Sequence, residues 1–319
     1  MKYKWNTTGV GPIDNLGLQL QRIARNMNEN QLSTRYRYLA TNGRFVKFLA
    51  EEFKVRKLAN INNKHVEKYA EKLIAEGKAH KYIKNELSGI RYIHNQIPNT
   101  KHNLIDGKEF NKKMGLNFTR DGRADRAWTL NEYEKFVDYA TDHGRSDIAD
   151  IFKITSVTGM RLDEVSTLRK SEITEALSSG KLHLTNTKGG VPRDVPLNKT
   201  SENLFKEAIK DLKGTDYVYT PARYVNSRSI HKYEKQVQKY VYNHRDKIQD
   251  KDRTTTGHNV KDDERGAITL HGLRHRYARE RYAEFLGQGK SNYEARKEVA
   301  KELGHGRDRV TLIYLSGES

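Results

Sequence analysis

The stretch that decides the fold lies near the C-terminal end. Leu270-His271-Gly272-Leu273-Arg274-His275 opens it, Leu303-Gly304-His305 follows, and Tyr314 stands nine residues after His305. Working outward, Thr158-Gly159-Met160-Arg161-Leu162-Asp163-Glu164 adds a further arginine about a hundred residues upstream. In chain order these are a guanidinium, an imidazole, a second guanidinium, a second imidazole and a phenol, a set that binds phosphate and carries its own nucleophile. Each member has an ordinary reading by itself. A lone tyrosine near a C-terminus is a packing residue. His271 and His275, one helical turn apart, resemble a metal-binding pair, but the chain has no cysteine and the pair lacks the internal glutamate of His-Glu-x-x-His. Arg161 reads as a solvated helix-start arginine or an ion-pair partner of Glu164. Their joint occurrence, in this order and with both short motifs intact, sets the ordinary readings aside.

On these residues the chain resembles the tyrosine recombinase family: phage integrases, Xer and Cre recombinases and integrases of conjugative elements. The motifs cover the C-terminal half directly, and the N-terminal half is similar only in being basic and helical. The resemblance implies a mainly α protein with a small β-hairpin or sheet: an N-terminal SAM-like helical core-binding bundle and a C-terminal mixed α/β catalytic domain. Carried over by position, it makes Arg161 and Arg274 the phosphate clamp, His271 and His305 the two histidines and Tyr314 the nucleophile. It also calls for a hairpin lysine between Arg161 and His271.

That lysine has local support. Residues 182–187 alternate apolar and polar, Lys188-Gly189-Gly190 is turn-like, and 191–197 returns as a strand whose prolines favour an edge. Lys188 is then at a hairpin tip, with Lys181 and Arg193 as substitutes.

Composition agrees with a nucleic-acid partner. Of the 319 residues, 59 are Lys or Arg against 41 Asp or Glu, and of the net +18 a surplus of +13 falls in residues 1–127. A surface so basic suggests a polyanion. The absence of cysteine rules out disulfides and cysteine-based zinc sites and fits a reducing cytosol. No apolar run approaches the roughly 18–20 residues that span a bilayer. The start of the chain lacks the apolar segment of a signal peptide.

In chain order, residues 1–13 read as a loose arm. Helices are expected from Asn15 to Met27, from a cap at Ser33 with Phe45, Phe48 and Leu49 inward, and from Asn60 to Gly77 with Val66, Tyr69, Leu73 and Ile74 inward. A fourth is expected from Ala79 to Gln96. Residues 1–98 thus form a DNA-binding bundle and 99–127 a basic linker. Residues 128–319 form the catalytic domain, opened by a capping box at Thr129-Leu130-Asn131-Glu132. Further helices are expected near 130–143, 146–158, 200–212, 226–248, 271–285, 292–303 and 307–315. The stretch 250–265 reads as a polar loop, and Gly287-Gln288-Gly289 as an enlarged one.

The resemblance further implies breakage and rejoining of double-stranded DNA through a 3′-phosphotyrosyl intermediate, for integration or excision of a mobile element, with no metal and no cofactor. The protein would be cytoplasmic and bacterial or phage-encoded, without membrane contact. It would act as a homotetramer on synapsed DNA and be monomeric or weakly associated without it. Two other readings use the same residues: a type IB topoisomerase-like nicking-closing enzyme, and a noncatalytic DNA-binding relative. A basic RNA-binding module is a third.

Overall fold

The computed structural model describes residues 3–27, 32–116, 125–187, 191–214, 216–253, 265–305 and 310–315. It divides into two units, residues 1–120 and 121–319. The first unit holds α1 (Gly11–Arg25), α2 (Leu32–Phe53), α3 (Asn63–Ala75), α4 (His80–His94) and α5 (Gly107–Lys113). Its core is the stripe of Leu16, Leu20 and Ala24 on α1 packed on Leu39, Phe45 and Leu49 of α2, with Val66, Tyr69, Ile83, Leu87 and Ile90 from α3 and α4. Glu86 is buried there, and a carboxylate out of water needs partners. It accepts hydrogen bonds from Thr41 Oγ1 at 2.8 Å, Arg44 Nη2 at 2.6 Å and Tyr69 Oη at 3.1 Å, which ties α2, α3 and α4 together.

Several expectations for this unit are corrected. The arm is not loose: Trp5 is buried, its indole N–H donates to Asp14 Oδ1 at 3.0 Å, and Asp14 also takes the backbone N–H of Thr8 and Gly9. With Pro12 in the first turn, α1 therefore starts four residues before Asn15. The second helix begins before Ser33, which falls inside its first turn. Ile74 is 39% exposed rather than inward. The stretch 99–127, read as linker, contains α5, whose Phe110 is buried in the first core together with Leu116. Seven residues with one buried apolar side chain leave no periodicity to read.

The second unit contains α6 (Leu130–Asp142), α7 (Ser146–Thr158), α8 (Leu162–Ser166), α9 (Lys170–Ser179), β1 (Lys181–Leu184) and β2 (Arg193–Pro196). They are followed by α10 (Lys199–Ala208), α11 (Ser227–Ile248), α12 (Gly272–Gly287), α13 (Asn292–Glu302) and α14 (Thr311–Tyr314). The capping box is present: Thr129 Oγ1 accepts from Glu132 N at 3.2 Å, and Glu132 Oε2 from Thr129 N at 2.9 Å. β1 and β2 pair antiparallel from Lys181↔Pro196 to Leu184↔Arg193, with Leu182, Leu184 and Val195 inward. The ladder is shorter than the strands expected at 182–187 and 191–197, and Lys188-Gly189-Gly190 lies outside the described residues. The sequence reading missed α9, in which only Ile173 and Ala176 are buried. The large core joins Trp128, Phe136, Ile148, Phe152, Ile154 and Leu273. A smaller one on the other side of α12 joins Tyr277, Phe285, Val299, Leu303 and Tyr314.

The enlarged loop at Gly287-Gln288-Gly289 is not found. α12 runs to Gly287, and residues 288–291 alone connect it to α13. The polar loop 250–265 falls mostly on residues 254–264, outside the described residues, but its start is pinned. Arg253, fully buried, holds Glu132 with Nε at 2.5 Å and Nη2 at 2.6 Å and donates to the carbonyls of Ala127 and Gly266. Breaking a buried pair by removing one partner costs about 3–5 kcal/mol. Arg253→Met is therefore expected to lower unfolding stability by that amount in a denaturant titration. Among the described residues no helix is long and apolar enough to cross a membrane.

Candidate active site

Gly159 ends α7 with φ +60°, and a side chain there would collide with the Tyr277 ring, so only glycine turns the chain at this point. The turn places Arg161 at the start of α8. Glu164, one turn on, accepts from Arg161 N at 2.7 Å and from its Nη1 at 2.9 Å. Arg274 projects from α12 and is 1% exposed. Its Nη1 donates to Gly159 O and its Nη2 to Leu303 O at 3.0 Å, while Nε is buried with no partner among the described residues. A guanidinium has five N–H donors, so this one joins the ends of α7 and α13 and keeps donors for an anion.

Tyr314, on α14, is 7% exposed and packs into the smaller core. Its Oη lies 3.1 Å from His271 Nε2. The phenol ring is surrounded by the other candidates: His305 lies tilted at 4.7 Å between centroids, and the Arg274 guanidinium carbon is 6.0 Å from the ring centre. His275 stacks on the same ring at 4.4 Å and 25°. Because one turn of α12 separates His271 from His275, both meet the phenol, the first at its oxygen and the second at its face.

The electrostatics follow from burying cations together. Burial, then the charge of Arg161, brings the Arg274 guanidinium down to about 10, still protonated at neutral pH. Burial, then Arg274, Arg161 and Arg193, depress His305 to about 3, so its imidazole is neutral. Both its ring nitrogens are buried and unpartnered among the described residues. Burial and the neighbouring His271 likewise hold His275 neutral, at about 3. Burial pushes the Glu164 carboxyl up, but the hydrogen bonds and charge of Arg193, with Arg161, bring it down to about 2. A depressed carboxyl stabilises the fold above its unfolded value, near 4.3, and that contribution is lost as pH falls toward 2.

The structure thus gathers Arg161, His271, Arg274, His305 and Tyr314, residues spread over half the chain. Lys188 lies outside the described residues. Neither substitute is free for its role: Lys181 pairs with Asp194 at 2.8 Å on the exposed face of the hairpin, and Arg193 is buried against Glu164. Two side chains at the site escaped the sequence reading. His275 was weighed only as half of a metal pair, although its helical offset from His271 already put it on the same face. Arg193 reads from the sequence only as a substitute for Lys188, because its pairing with Glu164 depends on where the hairpin packs.

Five of the six residues converge around the Tyr314 ring, and the comparisons with known proteins identify the family. The chain belongs to the phage integrase family, whose model matches residues 127–318, and the model for the N-terminal domain of phage integrases matches residues 13–102. It is 25% identical over 168 residues to the integrase of Escherichia phage 186, covering 52% of this chain and 47% of that protein. The chain thus spans about half the length of this curated relative. Its fold is similar to that of a lambda integrase dimer bound to a COC′ core site, with TM-score 0.59 at 16% identity over 95% of this chain and 96% of that one. It is also similar to the Tn1549 transposon integrase in complex with circular intermediate DNA, with TM-score 0.57 at 16% identity over 93% and 94%. A lambda integrase tetramer bound to a Holliday junction matches with TM-score 0.54 at 16% identity over 95% and 77%. At these identities the likeness establishes the fold: a helical bundle followed by a mostly helical domain with a small antiparallel hairpin.

Proposed function

We propose that the protein is a site-specific DNA recombinase that breaks and rejoins strands through a covalent tyrosine intermediate, in the service of a mobile element. The observation that carries the reading is the phenol of Tyr314 against His271 within reach of Arg274. A phosphodiester resists attack because its oxygens repel a nucleophile and its alkoxide leaves poorly. Arg161 and Arg274 offset the charge that builds on the nonbridging oxygens, in a geometry lysine does not supply. His305, neutral and with ring nitrogens that have no partner among the described residues, donates to the same oxygens. His271 takes the phenolic proton as Tyr314 Oη attacks phosphorus. The P–O5′ bond breaks, a 3′-phosphotyrosyl bond forms, and the 5′ oxygen leaves with a proton from Lys188, which is assigned from the sequence alone. The phosphotyrosyl bond keeps the energy needed for resealing.

The partner is double-stranded DNA, held largely through phosphates by the basic surplus of residues 1–127, so affinity falls steeply with salt. The active assembly is a homotetramer on two synapsed duplexes, a reading supported by the similar fold of a lambda integrase tetramer bound to a Holliday junction. The protein works in the cytoplasm, where that DNA is.

The contact of Tyr314 with His271 of its own chain supports delivery of the nucleophile in cis. A mixture of Tyr314→Phe and Arg274→Lys protomers should therefore stay inactive in strand cleavage, whereas recovered cleavage would mean delivery between subunits. The function itself is tested on a supercoiled plasmid bearing two copies of the DNA site enriched from a random library. The expected products are deletion or inversion circles; relaxed plasmid without recombinants would indicate a nicking-closing enzyme instead.

A further inference from the structure

We propose that Arg193 is a positioning residue for strand cleavage: one buried guanidinium on β2 fixes the carboxylate that orients Arg161 and the carbonyl end of α13 from which His305 is presented. The inference rests on the recombinase reading and adds a member that touches neither DNA nor the phenol.

All three nitrogens of Arg193 are committed. Nη1 reaches Glu164 Oε1 and Nη2 reaches Oε2, both at 2.6 Å, while Nε donates to Glu302 O at 2.9 Å. The side chain is 3% exposed and that of Glu164 is fully buried. Gly304, with φ +66°, passes so near that an added Cβ would sit 2.8 Å from Arg193 Cδ. Three stretches distant in sequence, the start of α8, the returning hairpin strand and the turn before His305, therefore meet on one planar group. Lysine, with a single nitrogen, does not make that fork.

Charge gives the arrangement its consequence. Glu164 Oε1 serves both Arg161 Nη1 and Arg193 Nη1, and Oε2 serves the Arg161 N–H and Arg193 Nη2. One carboxylate shared between two guanidiniums leaves a net positive charge at Arg161. Without Arg193, the carboxylate loses two of its four hydrogen bonds, and with them the fixed position from which it holds Arg161 toward the scissile phosphate. The other ionisable groups that feel Glu164 are Asp163 on α8 and Arg274 on α12, while Glu234 on α11 acts on Asp163 and His305 after α13 feels Arg161 and Arg193. None supplies a second hydrogen-bonded cation, so removing Arg193 leaves a buried carboxyl with Arg161 alone, and its proton affinity rises.

The test is single-turnover cleavage of a nicked suicide duplex from pH 5 to 9, with DNA affinity and melting temperature measured on the same full-length proteins. Arg193→Met is expected to bind DNA within about threefold of the wild type, since no phosphate contact is lost, and to cleave roughly tenfold or more slowly. Its rate should fall more than the wild type's as pH drops, because Glu164 then takes up a proton and releases Arg161 at a pH where the wild-type carboxylate is still ionised. Arg193→Met combined with Glu164→Gln should return the profile to the shape of the wild type while remaining slow. If Arg193→Met does not fold, Arg193→Lys, which keeps the charge without the fork, is scored by the same rate and pH profile. Wild-type cleavage with an unchanged profile, or a slower rate with no acid loss beyond that of the wild type, would overturn the inference. A wild-type protein that forms no covalent adduct at all would sink the recombinase reading, and this inference with it.

Discussion

Tyr314→Phe is expected to abolish covalent attachment to DNA while leaving DNA binding intact. The substitution keeps the ring in its stack with His275 and beside His305, and the packing of the smaller core is preserved. What goes is the oxygen and its contact with His271, worth about 1 kcal/mol to the fold as an ordinary hydrogen bond. Removing the nucleophile, by contrast, costs the whole covalent route, on the order of a million-fold where such groups act as a unit. The measurement is adduct formation on a suicide duplex beside a binding isotherm at the same salt. An adduct that survives the change would remove Tyr314 from its role.

Arg274→Lys should give the second-largest loss. Lysine keeps the charge but has one nitrogen, and in the wild type two guanidinium nitrogens already hold Gly159 O and Leu303 O while Nε is buried with no partner among the described residues. The variant has to give up either the carbonyls that join α7 to α13 or the contact to the phosphate. A preorganised donor aimed at transition-state charge is worth about 3–4 kcal/mol, or about 10²–10³ in rate. Cleavage should fall by at least that factor while specific DNA binding, spread over many contacts, changes little. Undiminished cleavage would take Arg274 out of the phosphate clamp.

Most of the site is legible in the sequence because it is built from short motifs whose internal spacing is helical. His271, Arg274 and His275 share turns of one helix, and Gly159 marks its own turn before Arg161. The fold class was legible for a similar reason: Leu16, Leu20, Phe45, Leu87 and Ile90 repeat at helical intervals, and Leu182, Leu184 and Val195 at strand intervals. What escaped was tertiary. α5 and α9 bury one or two apolar residues each, too few to set a period. Trp5 is fixed by Asp14 and Gln21 on a helix it precedes, which composition does not announce. Arg193 read as a spare hairpin cation and is instead buried between Glu164 and Glu302, a partnership created only when the hairpin docks on α8 and α13.

The central claim is that Arg161, His271, Arg274, His305 and Tyr314 act on one scissile phosphate. It is tested most directly by trapping the protein on a suicide duplex in the presence of a metal chelator, digesting it, and identifying by mass spectrometry the residue that carries the nucleotide. The account predicts a 3′-phosphotyrosyl bond at Tyr314, formed at the same rate with or without chelator. A nucleotide on any other side chain, or attachment through a 5′ phosphate, would contradict it.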